Sequence, residues 1–404
     1  GIGVILDWVP GHFCKDNHGL YKFDGTCQYE YDDPLMYENT GWGTANFNLE
    51  KGEVKSFLIS NAMYWIEEFH FDGLRIDAVS NMVFLDFNKE KDRWIPNEYG
   101  GNENFKARNF LYELNLELCK NHKGIVTLAE ESTATPYVTS KDNKGGLGFD
   151  LKWNMGWMND TLKYMALDFE HKKESHNLMT FSMAYNYYEK FMLPISHDEV
   201  VYGKKSLVNK MPGDQWRKFA ALRCFLAYMY CHPGKKTLFM GSEFGQLNEW
   251  DFRRGIEFEL LDKEIHRKTL DFTRCLNLFY KQECAMWELD YLNEGFQWID
   301  ADNREQSVII FMRKSYDFKD TLIVICNFTP KVFYDYKVGV PYNCSYKEVF
   351  NTDREIFGGS GEIMDEILFA EKKPFHNQEN SITIKISPMA TLILKVYKGL
   401  SIKE

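Results

Sequence analysis

Asp72-Gly73-Leu74-Arg75-Ile76-Asp77-Ala78-Val79 is a chain breaker followed by a β-type run that closes on an acidic residue. The Asp-Gly pair stops whatever precedes it, and residues 74–79 predict a strand. Upstream, residues 54–69 place Phe57, Leu58, Trp65, Ile66 and Phe69 at helical spacing. Residues 4–6 form a short apolar run that leads into the loop Asp7-Trp8-Val9-Pro10-Gly11-His12. Downstream, residues 105–119 read as a helix, Gly124 stops it, and the run 125–129 ends on Glu130. Residues 151–153, 192–195 and 237–240 are three further strand candidates, with a long helix at 215–230 between the last two.

Strands that alternate with helices predict βαβ units and a parallel sheet. The polar residues Asp7, Asp77, Glu130 and Asp198 fall where strands end, as in both a (β/α)8 barrel and an open doubly wound sheet. No glycine-rich phosphate loop follows any strand, so the α/β reading is a TIM-type barrel. After about residue 300 the pattern becomes β-rich at 307–313, 321–327, 381–386 and 390–396, with turns such as Gly358-Gly359. This predicts a catalytic barrel over 1–300 and an all-β sandwich domain over 301–404.

The 404 residues carry 48 Lys and Arg against 59 Asp and Glu, a net charge of −11. That balance argues against nucleic acid and against an anionic membrane surface as partners, because both call for a basic patch. Hydrophobic residues at 44% allow a large core, and the 16% aromatic share leaves rings to stack on sugar faces. No run of about 18 apolar residues occurs, and residues 1–10 lack the features of a signal peptide. The nine cysteines are scattered with no C-x-x-C pair, which reads as reduced, buried thiols in a cytoplasmic protein with no zinc site. No metal and no cofactor are expected.

Arg75 stands two residues before Asp77, on the same face of a strand, where a guanidinium keeps a carboxylate ionised as a nucleophile requires. Glu130 has no cation adjacent in sequence, and a partly desolvated Glu with a raised pKa suits a general acid. Two such carboxylates are the apparatus of retaining glycosidic chemistry. Alternation along the strand sends Glu131 to the face opposite Glu130. Taken singly, an Asp after a strand is more often a cap or ion-pair partner, and His12 and His197 more often structural.

Together these segments resemble the α-amylase superfamily, glycoside hydrolase family 13. Asp7–His12 looks like its first signature region, 73–82 the second, 127–132 the third and 195–200 the fourth. Within it, "DWVPGHF", "GLRIDAVSNM", "AEES", "SHDEV" and "LFMGSEFGQLNEW" are similar to the 1,4-α-glucan branching enzymes. The resemblance implies Asp77 as nucleophile, Glu130 as general acid/base and Asp198 as a third carboxylate that grips sugar hydroxyls. It implies that His12 and His197 bond the same sugar, that Arg75 orients Asp77, and that Asp7 supports the site. Trp42, in Gly41-Trp42-Gly43-Thr44, is a candidate platform for the glucan. The segment 3–6 resembles the third barrel strand, so the expected fold is a barrel truncated at its N-terminus, with strands three to eight present. The expected reaction is transfer of an α-1,4-glucan segment to a 6-hydroxyl of a glycogen- or amylose-like chain. The alternatives are an α-amylase-type hydrolase and a non-catalytic glucan-binding remnant.

Overall fold

A computed structural model describes residues 1–142, 145–317 and 320–398. The chain divides into two compact units, Gly1–Asn154 with Tyr188–Phe191, and Met155–Tyr187 with Met192–Glu404.

The first unit holds β1 (Ile5–Trp8), the short pair β2 (Glu38–Asn39) and β3 (Thr44–Ala45), β4 (Gly73–Ile76), β5 (Val126–Ala129) and β6 (Leu151–Trp153). Its helices are α1 (Pro34–Tyr37), α2 (Gly52–Phe69), α3 (Val79–Val83) and α4 (Phe105–Asn121). Strands β1, β4, β5 and β6 pair in parallel in that order, with Asp7 opposite Arg75, Arg75 opposite Leu128, and Leu128 opposite Leu151. The crossovers through α2 and α4 are what a parallel ladder demands. Helix α2 buries Val54, Leu58, Ala62 and Ile66, one residue per turn, and ends at His70 in the left-handed conformation. Helix α4 starts at Asn104, whose side chain accepts from the Ala107 amide. Strand β4 is buried along its whole length, as expected of an inner parallel strand. At its start Gly73 runs so close to β5 that a Cβ there would stand 2.3 Å from the Val126 carbonyl oxygen.

The second unit contains α5 (Met155–Ala166), all but the first residue of β7 (Phe191–Ile195), α6 (Leu207–Lys210), α7 (Gln215–Cys231), β8 (Lys235–Leu238) and α8 (Glu264–Gln282). Strands β7 and β8 are parallel. Helix α7 is buried on every side from Phe219 to Cys231, which marks it as a core helix rather than an amphipathic one. An antiparallel sandwich follows: β9 (Phe296–Asp300), β10 (Val308–Arg313), β11 (Leu322–Asn327), β12 (Phe333–Val340), β13 (Ser345–Asn351), β14 (Leu368–Phe369), β15 (Asn380–Ile386) and β16 (Ala390–Lys398). One sheet runs β14-β13-β16-β11-β10-β9 and the other pairs β12 with β15. Period-two alternation splits the larger sheet between two cores. Ile309, Phe311 and Val324 join the core around α7, whereas Ile310, Met312, Ile323 and Ile325 pack with Val338, Ile382 and Ile384 of the smaller sheet.

Several expectations shift. The strand expected at 74–79 stops at Ile76, because Ala78 turns into the left-handed region (φ 50°) and Val79 opens a helix. The strand expected at 237–240 lies at Lys235–Leu238. Four cysteines are buried, but Cys14 and Cys119 are exposed, so burial does not account for all nine. Among the described residues no helix is long and apolar enough to cross a membrane.

Candidate active site

The ends of β1, β4 and β5 gather most of the first unit's expected residues around one guanidinium. Arg75 sits on β4 with its side chain 5% exposed; its Nη1 lies 2.8 Å from Asp77 Oδ1 and its Nη2 2.6 Å from Glu130 Oε2. The same Nη1 stands 3.7 Å from Asp7 Oδ1, across the β1–β4 register. Glu130 has no cation adjacent in sequence, and its cation comes instead from the neighbouring strand. The indole of Trp153 lies over the guanidinium, 4.3 Å from ring centroid to Cζ.

Glu130 also accepts a hydrogen bond from the Ala78 amide at 3.0 Å, which the left-handed turn at Ala78 aims at it. Burial raises the Glu130 carboxyl, while Arg75 and the Ala78 amide pull it down. The negative charge of Asp77, and its readiness to accept a hydrogen bond from protonated Glu130, push it up again to about 7. Such a carboxyl can hold a proton at neutral pH and give it up.

His12 places Nε2 3.7 Å from Asp77 Oδ2, and its Nδ1 shares a hydrogen bond with Thr44 Oγ1 at 3.1 Å. Burial lowers its pKa although Asp77 pulls the other way, so the ring is neutral at neutral pH. Trp42, at the β2–β3 turn, is 46% exposed. Its ring meets His12 at 4.9 Å and stacks nearly parallel on Phe87 at 6.4 Å.

Asp198 and His197 belong to the second unit. There β7 passes into a 3-10 turn, His197–Val200, closed by a capping box. Ser196 Oγ accepts from the Asp198 amide at 3.3 Å, and Glu199 Oε2 accepts from the Ser196 amide at 2.6 Å. Glu199 is thereby committed to its own backbone. Asp198 keeps an exposed carboxylate, 3.3 Å from His197 Nε2.

Sequence reading passed over Thr44, Lys152 and Trp153. Thr44 ends a quoted motif, and the two β6 residues carried no signal apart from their place on a strand. Among the described residues no cluster of three or more His, Cys, Asp or Glu side chains could hold a metal ion.

The family described as "Alpha amylase, C-terminal all-beta domain" matches residues 298–397. The chain is 58% identical over 395 residues to the "1,4-alpha-glucan branching enzyme GlgB 1" of Clostridium perfringens (strain 13 / Type A), covering 98% of this chain and 59% of the relative. It is 58% identical over 398 residues to the "1,4-alpha-glucan branching enzyme GlgB" of Francisella tularensis subsp. novicida (strain U112), covering 98% and 62%. Over nearly its whole length the chain is similar to 1,4-α-glucan branching enzymes. It spans about three fifths of the length of these branching-enzyme relatives. Solved structures agree at the level of fold. The α-amylase from Geobacillus thermoleovorans, complexed with acarbose, superposes with TM-score 0.64 at 15% identity over 98% of this chain and 78% of that one. The α-amylase from H. orenii gives 0.64 at 14% identity over 98% and 81%. The parallel strands are thus part of a (β/α)8 barrel, followed by the superfamily's all-β domain.

Proposed function

We propose that this protein acts as a 1,4-α-glucan branching enzyme, with residues 1–300 as its catalytic part and 301–404 as its all-β domain. The observation that carries the chemistry is the sharing of Arg75 by Asp77 and Glu130, each within 2.8 Å of its guanidinium. Two carboxyls held by one guanidinium fit the close pair of a retaining enzyme better than the wider pair that an inverting enzyme spaces around a water. Asp77 then attacks the anomeric carbon while Glu130 protonates the departing glycosidic oxygen, and a glycosyl ester forms on Asp77. Glu130, now a carboxylate, takes the proton of an incoming 6-hydroxyl, whose oxygen displaces Asp77 and restores both groups. Neutral His12 offers a ring nitrogen to a sugar hydroxyl beside Asp77, Asp7 steadies Arg75, and Trp42 offers an exposed ring face. In the second unit, Asp198 is the carboxylate left free for a glucan hydroxyl, with His197 beside it.

The substrate of this reading is a glycogen- or amylose-like α-glucan. The acidic net charge supports it over nucleic acid or a membrane, and scattered thiols support a cytoplasmic setting. Identity of 58% to branching enzymes favours transfer over hydrolysis. The test is iodine staining of amylose followed alongside reducing ends. Branching removes colour with few new ends. Many new ends would make the protein a hydrolase, and no change in either would leave a binding protein.

A further inference from the structure

Behind Glu130 lies a second, fully buried ionic group. Lys152 Nζ stands 2.6 Å from Glu131 Oε2, with side chains 5% and 0% exposed. Lys152 is the ladder partner of Ala129, so Lys152, Ala129 and Glu131 share the face opposite Arg75, Glu130 and Trp153. The other oxygen of Glu131 accepts from Ser80 Oγ at 2.8 Å, from the Thr133 amide at 3.0 Å and from Thr133 Oγ1 at 2.6 Å. Ser80 Oγ in turn accepts from the Ser132 amide at 2.9 Å, and Lys152 Nζ also donates to the Thr133 carbonyl at 3.0 Å. The Ser80 bonds tie the segment after β4, which carries Asp77, to the segment after β5, which carries Glu130, while Lys152 ties that second segment to β6.

Stability alone gives little reason for such a group. Exchanging a buried ion pair for apolar side chains of similar size is often neutral or stabilising. What the pair does supply is a fixed direction. Glu131 follows Glu130 by one peptide, so clamping its carboxylate from three sides fixes where the Glu130 side chain leaves the backbone.

We propose that Lys152, acting through Glu131, is a positioning residue that aims the Glu130 carboxyl at the glycosidic oxygen. This role rests on the reading of Glu130 as the acid. Misaimed by about 1 Å, a catalytic group can lose on the order of 100-fold in rate.

The test uses the full-length protein with Lys152→Met and with Glu131→Gln/Lys152→Met. The double variant leaves no unpaired buried charge and keeps an acceptor for Ser80 and Thr133, so it folds even if the single variant does not. Turnover is measured on amylose, and first-turnover fluoride release on an α-maltosyl fluoride, whose leaving group departs without protonation. The double variant should melt cooperatively, lose at least about 10-fold in kcat on amylose with KM within about twofold, and release fluoride at nearly the wild-type rate. Equal losses on both substrates, or an unchanged kcat on amylose, would overturn the role of Lys152. Glu130→Gln is the control and should show the same split more strongly. If it shows none, the assignment of Glu130 fails by itself.

Discussion

At the scale of single residues, the raised Glu130 carboxyl gives the sharpest expectation. With a pKa near 7 the acid is protonated below neutrality, so single-turnover cleavage of glucan should decline as the pH rises through about 7. Glu130→Gln should lower that step by about 10²–10⁴ and flatten its pH dependence. The same shift has a sign in stability. The folded state holds this proton more tightly than the unfolded chain, so the contribution is fully present below about 4.5 and is lost as the pH rises toward about 7. On the proposed roles, Asp77→Asn removes the nucleophile at nearly constant shape. Turnover should vanish while glucan binding, read by calorimetry, is largely kept; normal branching by this variant would remove Asp77 from the mechanism. Of these groups, Asp77, Glu130 and Arg75 were legible in the sequence because a strand with a charged end is a local pattern. The Arg75–Glu130 contact was not, since it depends on which strand lies beside which. Lys152 was invisible for the same reason: a lysine on a strand reads as solvent-facing until its partner strand is known.

At the scale of elements, the placement of the site depends on how closely β4 and β5 approach. Gly73 allows that approach, and Gly73→Ala would press a methyl group into the Val126 carbonyl at 2.3 Å. Overpacking of this kind costs about 1–3 kcal/mol, so the variant should show a lower urea midpoint with an unchanged m-value. A midpoint equal to wild type would mean the strands can part without loss. The sequence foretold β4 through its Asp-Gly breaker, yet it overran the end by three residues. Val79 is β-branched and favours a strand, but the left-handed Ala78 overrides that local preference. Helices α5 and α8 were not singled out at all. Helix α8 buries His266, Thr269, Phe272, Thr273 and Leu276 on one face, and three of those five are polar, which hides the stripe from a reading of apolar residues.

At the scale of the whole molecule, the two units differ in what fixes them internally. The second unit joins its helices to its sandwich through a buried ionic knot. Arg313 on β10 and Asp290 have side chains with 0% exposure and meet at 2.8 Å, while Lys235 on β8 reaches the other oxygen of Asp290 at 3.0 Å. Arg313 also donates to the Cys231 carbonyl at the end of α7, at 2.7 Å. Burial alone would raise the Asp290 carboxyl, but Lys236, Arg313 and Lys235 outweigh it and hold it below the usual value. Asp290→Asn leaves those cations uncompensated and should cost about 3–5 kcal/mol, seen as a lower thermal midpoint with aggregation on heating. A melt within a degree of wild type would show that the knot is dispensable. The all-β domain was legible from the sequence as a change of pattern near residue 300. The knot was not, because its members are far apart in the chain.

The guanidinium that Asp77 and Glu130 share also sets a schedule. While Asp77 is a free anion, its charge helps Glu130 keep a proton, and Arg75 divides its attraction between the two. In the proposed cycle, forming the ester on Asp77 removes that charge and leaves the whole of Arg75 to act on Glu130. The proton that was easy to hold at the start of the cycle becomes easy to lose in the middle, when the acceptor needs a base. On the proposed roles, one arginine would let a single glutamate serve two opposite duties in turn.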